Sequence, residues 1–165
     1  MILYPKAYFL KVEDITIEFL RKKKLKALIL DVDNTLIDYE ENLSSTKKQW
    51  AKELRENGIK LYILSNSNKK QKVEKVANEL QVQYKTFAKK PLKLNFLKIQ
   101  KEIGESPEQI GVVGDQLFTD IIGGNRCNMF TILVDPINEK DYWYTAWKRP
   151  IENNLKNKIK EKILK

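Results

Sequence analysis

This chain contains no histidine. That absence removes every Ser-His-Asp and Cys-His mechanism, along with any metal held by imidazole. The one cysteine, Cys127, cannot build a disulfide framework or a thiolate zinc cluster, and such sparing use suits the cytoplasm. Any metal must therefore be held by oxygen, which favours a hard ion such as Mg2+. No run approaches the roughly 18 apolar residues of a membrane span. Pro5, Lys6 and Lys11 interrupt the first twelve residues, which also lack a small-residue cleavage site, so no signal peptide is expected. Internal repeats and low-complexity linkers are missing too.

What is present describes one globular domain. The chain has 165 residues, 42% hydrophobic and 32% charged, enough to bury a single good core. Its formal charge is +9 and its pI near 9.4. A basic balance admits nucleic acid, an anionic membrane face or phosphorylated substrates as partners. Lysine supplies 27 of the 31 basic residues, so a composition bias spread over solvated faces competes with all three.

Strand and helix patterns alternate, which predicts a parallel sheet with helices packed on it. The apolar run Leu25 to Leu30 reads as the first strand. Ser44 or Ser45 then caps a helix carrying Trp50, Ala51 and Leu54, closed by Gly58. Lys60 to Leu64 is the second strand, and Val73, Val76, Ala77 and Leu80 follow at helical spacing. Gln81 to Phe87 holds a short third strand. Pro91 suits the first turn of a helix with Leu92, Leu94, Phe96, Leu97 and Ile103, ended by Gly104. Ile110 to Val113 is the fourth strand, a helix runs from about Leu117 to Asn125, and Phe130 to Val134 is the fifth strand. Beyond it, Tyr142, Trp143, Tyr144 and Trp147 precede a lysine-rich amphipathic helix with Ile151, Leu155, Ile159 and Ile163 in steps of four. Trp and Tyr beside Lys suit a membrane interface, although such a helix also packs its stripe on its own domain.

Chemistry enters at the strand ends. Asp31-Val32-Asp33-Asn34-Thr35 follows the first strand directly, and open α/β sheets bind ligands outside the carboxyl ends of their strands. One carboxylate of such a pair can attack or hold a metal while the other handles a proton. Ser65 ends the second strand, Asp115 the fourth, and Lys90 follows the third closely, so the four converge on one edge. Carboxylates, a hydroxyl and an ammonium make a phosphate-handling set, with Mg2+ offsetting the repulsion between anionic nucleophile and anionic substrate. The amides after Ser65, at a helix start, are natural phosphate donors. Singly, each aspartate reads equally as a cap or turn residue. Asn125-Arg126 after Gly123-Gly124 is either an anion-binding pair or an ordinary helix end, and Cys127 reads as a small buried side chain.

These residues resemble the haloacid dehalogenase (HAD) superfamily of phosphohydrolases, whose first motif is DxDxT. The resemblance implies Asp31 as nucleophile and Asp33 as general acid/base, with Thr35 completing the motif. Ser65, within Leu64-Ser65-Asn66, matches the second motif, and Lys90 before Pro91 the third, with Lys89 as a rival. Gly114 to Asp120 matches the fourth, implying Mg2+ held by Asp31, the carbonyl of Asp33, Asp115 and Asp120. Phosphate would fall to Thr35, Ser65, Asn66 and Lys90. More finely, Lys89-Lys90-Pro91 followed by GDQLFTDIIGGNRCNMFTILVDPI is similar to the YqeG-type branch, grouped with mitochondrial and plastid phosphatidylglycerophosphate phosphatases.

The gaps between Asp31, Ser65 and Lys90 each hold one helix and leave no room for a cap domain, so an open site is expected. The expected fold is a three-layer α/β/α, Rossmann-like parallel sheet. Residues 1–138 would form the phosphatase domain, and 139–165 a helical extension packed on it. The expected activity is Mg2+-dependent phosphomonoester hydrolysis, with phosphatidylglycerophosphate as the leading substrate. Phosphorylated nucleic-acid ends or small phosphoesters are the alternatives within catalysis. A ribosome- or nucleotide-associated assembly factor is the alternative outside it.

Overall fold

A computed structural model of the chain describes residues 2–138 and 149–163. Among these described residues, six strands form one parallel sheet: β1 (Ala7–Phe9), β2 (Ala27–Leu30), β3 (Lys60–Leu64), β4 (Gln83–Lys85), β5 (Ile110–Gly114) and β6 (Phe130–Val134), in the order β1-β6-β5-β2-β3-β4. The α-helices of the described residues are α1 (Ile17–Lys22), α2 (Ser45–Glu56), α3 (Lys70–Leu80), α4 (Lys93–Ile103), α5 (Ile122–Arg126) and α6 (Arg149–Ile163). The expected three-layer α/β/α architecture is the one observed.

Strand β2 is central, and all four of its residues are buried because helices cover both faces. Alternation sends Leu28 and Leu30 toward α1, α2 and α3, where they join Leu20, Trp50, Leu54 and Val73. Ala27 and Ile29 face the opposite layer with Phe96, Ile99 and Ile103 of α4. Ser44 caps α2, its side chain accepting from the Lys47 amide, and Gly58 ends that helix at φ +84°.

Several expectations need correction. The first strand begins at Ala27 rather than Leu25, and it is the second in the chain. Three-residue β1, flanked by Pro5, Lys6 and Lys11, is too short to show a period, yet it pairs in parallel with β6. The short strand expected within Gln81 to Phe87 is present as Gln83–Lys85. Pro91 lies outside the helix, following a cis peptide bond, with Leu92 as the N-cap of α4. Of the apolar residues named for this helix, Leu92, Leu94 and Leu97 stand exposed. The expected helix after Leu117 is a π-helical stretch, Leu117–Ile121, continued by short α5.

The C-terminal stripe packs on the domain. Ile159 is buried with Leu117, Ile121 and Leu133, and Leu155 and Ile163 lie against them, while Ile151 stays exposed. Lys160 pairs with Asp135 at 2.5 Å, and Asp135 also accepts from the Tyr8 hydroxyl at 2.6 Å. The aromatic run Tyr142 to Trp147 lies outside the described residues. Among the described residues no helix is long and apolar enough to cross a membrane.

Candidate active site

Sheet register assembles the site. Leu30 of β2 pairs with both Ile63 of β3 and Val113 of β5, so the residues that follow leave the sheet level with one another. Asp31 therefore meets the ends of β3 and β5 although their residues are remote in sequence. After Asp31 the chain turns tightly, with the amides of Thr35, Leu36 and Ile37 all directed at the Val32 carbonyl. Asn34 adopts φ +62° in this turn, a conformation Asn tolerates better than most residues. Its amide side chain bonds both main-chain groups of Asn138, tying the turn to the segment after β6.

Lys90 is the hub. Its ammonium donates to Asp31 Oδ1 at 2.9 Å, Asp120 Oδ1 at 2.7 Å and the Leu64 carbonyl at 2.8 Å, which uses all three protons. Burial alone would favour the neutral amine, but Asp120 and Asp31 outweigh it and hold the group well above the usual lysine range. Asn66 fixes this lysine, accepting from its amide at 2.7 Å and donating to its carbonyl at 3.2 Å. Lys89, by contrast, is exposed.

One carboxylate oxygen from each of Asp31, Asp115 and Asp120 lies within 4.8 Å of the others. Burial, followed by the charge of Asp31, pushes Asp120 up to about 7 despite Lys90. Burial and the charges of Asp31 and Asp120 likewise hold Asp115 well above the carboxylate range. The Thr35 hydroxyl sits between them, 3.3 Å from Asp31 and 3.2 Å from Asp115. Gly114 is demanded by this crowding, since a Cβ there would fall 2.2 Å from the Asp120 carboxyl carbon. Three converging carboxylates, two of them buried and Asp31 half-buried at the cleft, with no nitrogen or sulfur donor, suit a hard divalent cation.

These groups open on a cleft of about 590 Å³, lined by Asp31, Asp33, Lys72, Lys90, Asp115 and Lys156 among others. Asp33 points into it and pairs with Lys72 of α3 at 2.5 Å. Ser65 and Thr35 are buried behind the wall, and the Ser65 hydroxyl accepts from the Ser67 amide at 3.1 Å. Asp120 is buried beside Lys90. Asn125 takes no part, because its side chain anchors the N-terminal segment at Ile2 and Tyr4. Cys127 is buried, as expected.

Sequence reasoning did not find Lys72, Glu152 or Lys156. Glu152 Oε1 accepts from the Leu117 amide at 2.5 Å, and the Lys156 ammonium donates to the Asp115 carbonyl. Both are buried, and both line the cleft from α6. The only available signal was their spacing of one helical turn, which any amphipathic helix shares.

An uncapped α/β sheet with this carboxylate and lysine cluster at its edge defines a HAD-type phosphatase. The profile of the family described as "Mitochondrial PGP phosphatase" matches residues 1–138, and the chain belongs to that family. It is 33% identical over 159 residues to "Probable phosphatase YqeG" of Bacillus subtilis (strain 168), covering 96% of this chain and 92% of that protein. Solved structures share the fold. An uncharacterized protein from Listeria monocytogenes serotype 4b superposes with a TM-score of 0.57 at 18% identity, covering 72% of this chain and 85% of that one. A cobalt-bound deoxy-D-mannose-octulosonate 8-phosphate phosphatase from Haemophilus influenzae gives 0.53 at 16% identity, covering 68% and 69%.

Proposed function

We propose that this phosphatase hydrolyses phosphomonoesters through an aspartyl-phosphate on Asp31, with Mg2+ as cofactor. The observation that carries the reading is Asp31 itself, facing the cleft and held at once beside Asp115, Asp120 and the Lys90 ammonium. Asp31, Asp115 and Asp120 would hold the Mg2+ ion, joined by the carbonyl of Asp33. The ion would offset negative charge on the phosphoryl oxygens.

In the first step an Asp31 oxygen attacks phosphorus and the ester oxygen leaves, taking a proton from Asp33. In the second, water gives its proton to Asp33 and attacks the phosphorus, breaking the acyl-phosphate bond and regenerating Asp31. The exposure of Asp33 to the cleft, two residues from Asp31, supports giving it both transfers. It must first exchange Lys72 for the substrate. Lys90 neutralises the buried carboxylates, and Asn66 orients Lys90 through its main chain. Thr35 and Ser65, behind the wall, position the carboxylates and the loop at Ser67.

For the substrate we favour phosphatidylglycerophosphate. The family description names PGP phosphatases, and a cleft without a cap admits a headgroup presented on a surface. A binding or assembly role would need neither Asp33 nor its exposure to the cleft. The test is phosphate release by purified protein with Mg2+ from phosphatidylglycerophosphate, a 3′-phosphorylated oligonucleotide and small phosphomonoesters in parallel. Turnover is expected to be fastest on the lipid, and activity confined to small esters would overturn that assignment. Asp31→Asn should leave almost no turnover and Asp33→Asn should lower it by about 10²–10⁴-fold, both with an unchanged circular dichroism spectrum. Full activity in either variant would overturn the mechanism.

A further inference from the structure

Helix α6 packs Leu155, Ile159 and Ile163 on the domain and leaves Ile151 in solvent. Helix α4 carries apolar residues on two faces and buries only one of them. Phe96, Ile99 and Ile103 of α4 are buried, whereas Leu94 and Leu97, three residues apart on the opposite face, are 62% and 46% exposed. The segment leading into the helix adds Leu92 at 53% and Phe87 at 55%. Four large apolar side chains therefore stand in solvent within eleven residues, a clustering that isolated surface leucines do not explain.

The charge on this segment has one sign. From Thr86 to Lys101 there are five lysines and no acidic residue. Lys90 is buried in the site, and Lys89, Lys93, Lys98 and Lys101 are exposed. On the helical wheel Lys93 and Lys98 flank the two leucines, with Lys101 one turn beyond Leu97. Arg126 joins this rim, its guanidinium donating to the Pro91 carbonyl at 3.4 Å. The segment also borders the cleft. Phe87 donates its amide to the Ser67 carbonyl at 3.2 Å, and Ser67 lines the cleft.

We propose that this face of α4 and the turn before it dock the enzyme on an anionic lipid bilayer. The leucines would enter the boundary between headgroups and acyl chains, and the lysines would lie on the lipid phosphates. Charge selects this occupant. A second copy of the chain would bring the same uncompensated lysines against each other. A nucleic-acid backbone would satisfy the lysines and leave the leucines in water. Docking here brings the cleft rim to the membrane, yet the inference does not depend on the substrate, because binding is read without turnover.

The experiment is co-sedimentation of the full chain with vesicles of phosphatidylcholine alone and of phosphatidylcholine mixed with phosphatidylglycerol. Binding is expected only to the mixed vesicles, and it should weaken with added salt. Each lysine near an anionic surface contributes about fivefold to partitioning, so Lys93→Glu/Lys98→Glu should lower it by at least about tenfold. Leu94→Ser/Leu97→Ser should also lower it by about tenfold or more, since two inserted leucines are lost. Turnover of a soluble phosphomonoester by this leucine variant should match the parent, showing that it folds and testing the phosphatase reading separately. Lys22→Glu/Lys23→Glu, an equal charge change on the layer across the sheet, should keep binding within about threefold because salt screens distant charges. The proposal is overturned by no binding to mixed vesicles, by undiminished binding of the leucine variant, or by an equal loss in the distant-lysine variant. A lipid-free dimer that the leucine substitutions abolish would overturn it in favour of a second copy.

Discussion

Asp120 shows how much the site asks of one residue. It is buried, shares a lysine with Asp31, and presses against Gly114 so closely that no side chain fits there. Its carboxyl is pushed from 3.8 to about 7 by burial first and by Asp31 second. Between those two values the native state keeps a proton that the unfolded state has released. Stability therefore falls as pH rises from about 4 to about 7, and the loss persists above. Asp120→Asn mimics the protonated form and escapes that loss. In chelator, its thermal midpoint should exceed the parent's at pH 8 and match it at pH 4. The upper bound of the effect is on the order of 4 kcal/mol. Adding Mg2+ at pH 8 should narrow the gap by stabilising only the parent, because binding the ion would relieve the crowded carboxylates. A variant no more stable than the parent at pH 8 would show that Asp120 carries no such burden.

At the scale of elements, what could be read depended on where the signal lay. Helices α2 and α3 were legible from apolar residues at helical spacing, α2 also from its Ser44 cap and Gly58, and strands β3 and β6 from short continuous apolar runs. Strand β1 was not, since three residues cannot display a period and its partner β6 lies far along the chain. Helix α4 was legible as a helix, but not which of its apolar residues face the sheet, and only Phe96, Ile99 and Ile103 do. Helix α6 was legible as amphipathic, yet its role at the site was not. That role comes from two buried charges gripping the ends of one turn, Glu152 on the Leu117 amide and Lys156 on the Asp115 carbonyl. The turn between them leads from Asp115 toward Asp120. Lys156→Met would leave a buried carbonyl unpaired and Glu152 without its neighbour, costing about 1–3 kcal/mol of stability. It should also raise the Mg2+ concentration needed for half-maximal activity several-fold, with Lys156→Arg restoring most of the affinity. A lower thermal midpoint with unchanged Mg2+ dependence would reduce α6 to a structural brace.

Over the whole molecule, the site is the product of topology. Asp31, Lys90 and Asp115 are far apart in sequence, and parallel strands with one helix per crossover deliver them to the same edge. That convergence was legible because Asp31 and Asp115 stand directly after their strands and Lys90 follows a third strand within five residues. Lys72 was not, because nothing local marks one lysine among 27 as the partner of Asp33. Nor did the net charge reveal where it acts. Lys69, Lys72 and Lys156 stand around the cleft on a chain of charge +9, so an approaching phosphate meets a positive field from the cleft and from the protein beyond it. Such a field speeds capture without changing the groups that break the bond. Raising NaCl from about 0.02 to about 0.2 M shortens the screening length from about 20 to about 7 Å. At fixed Mg2+, kcat/KM for a small soluble phosphomonoester should then fall several-fold while kcat stays nearly flat. A fall in kcat with an unchanged KM would place the salt-sensitive step in the chemistry around Asp31 and Lys90 instead of in capture.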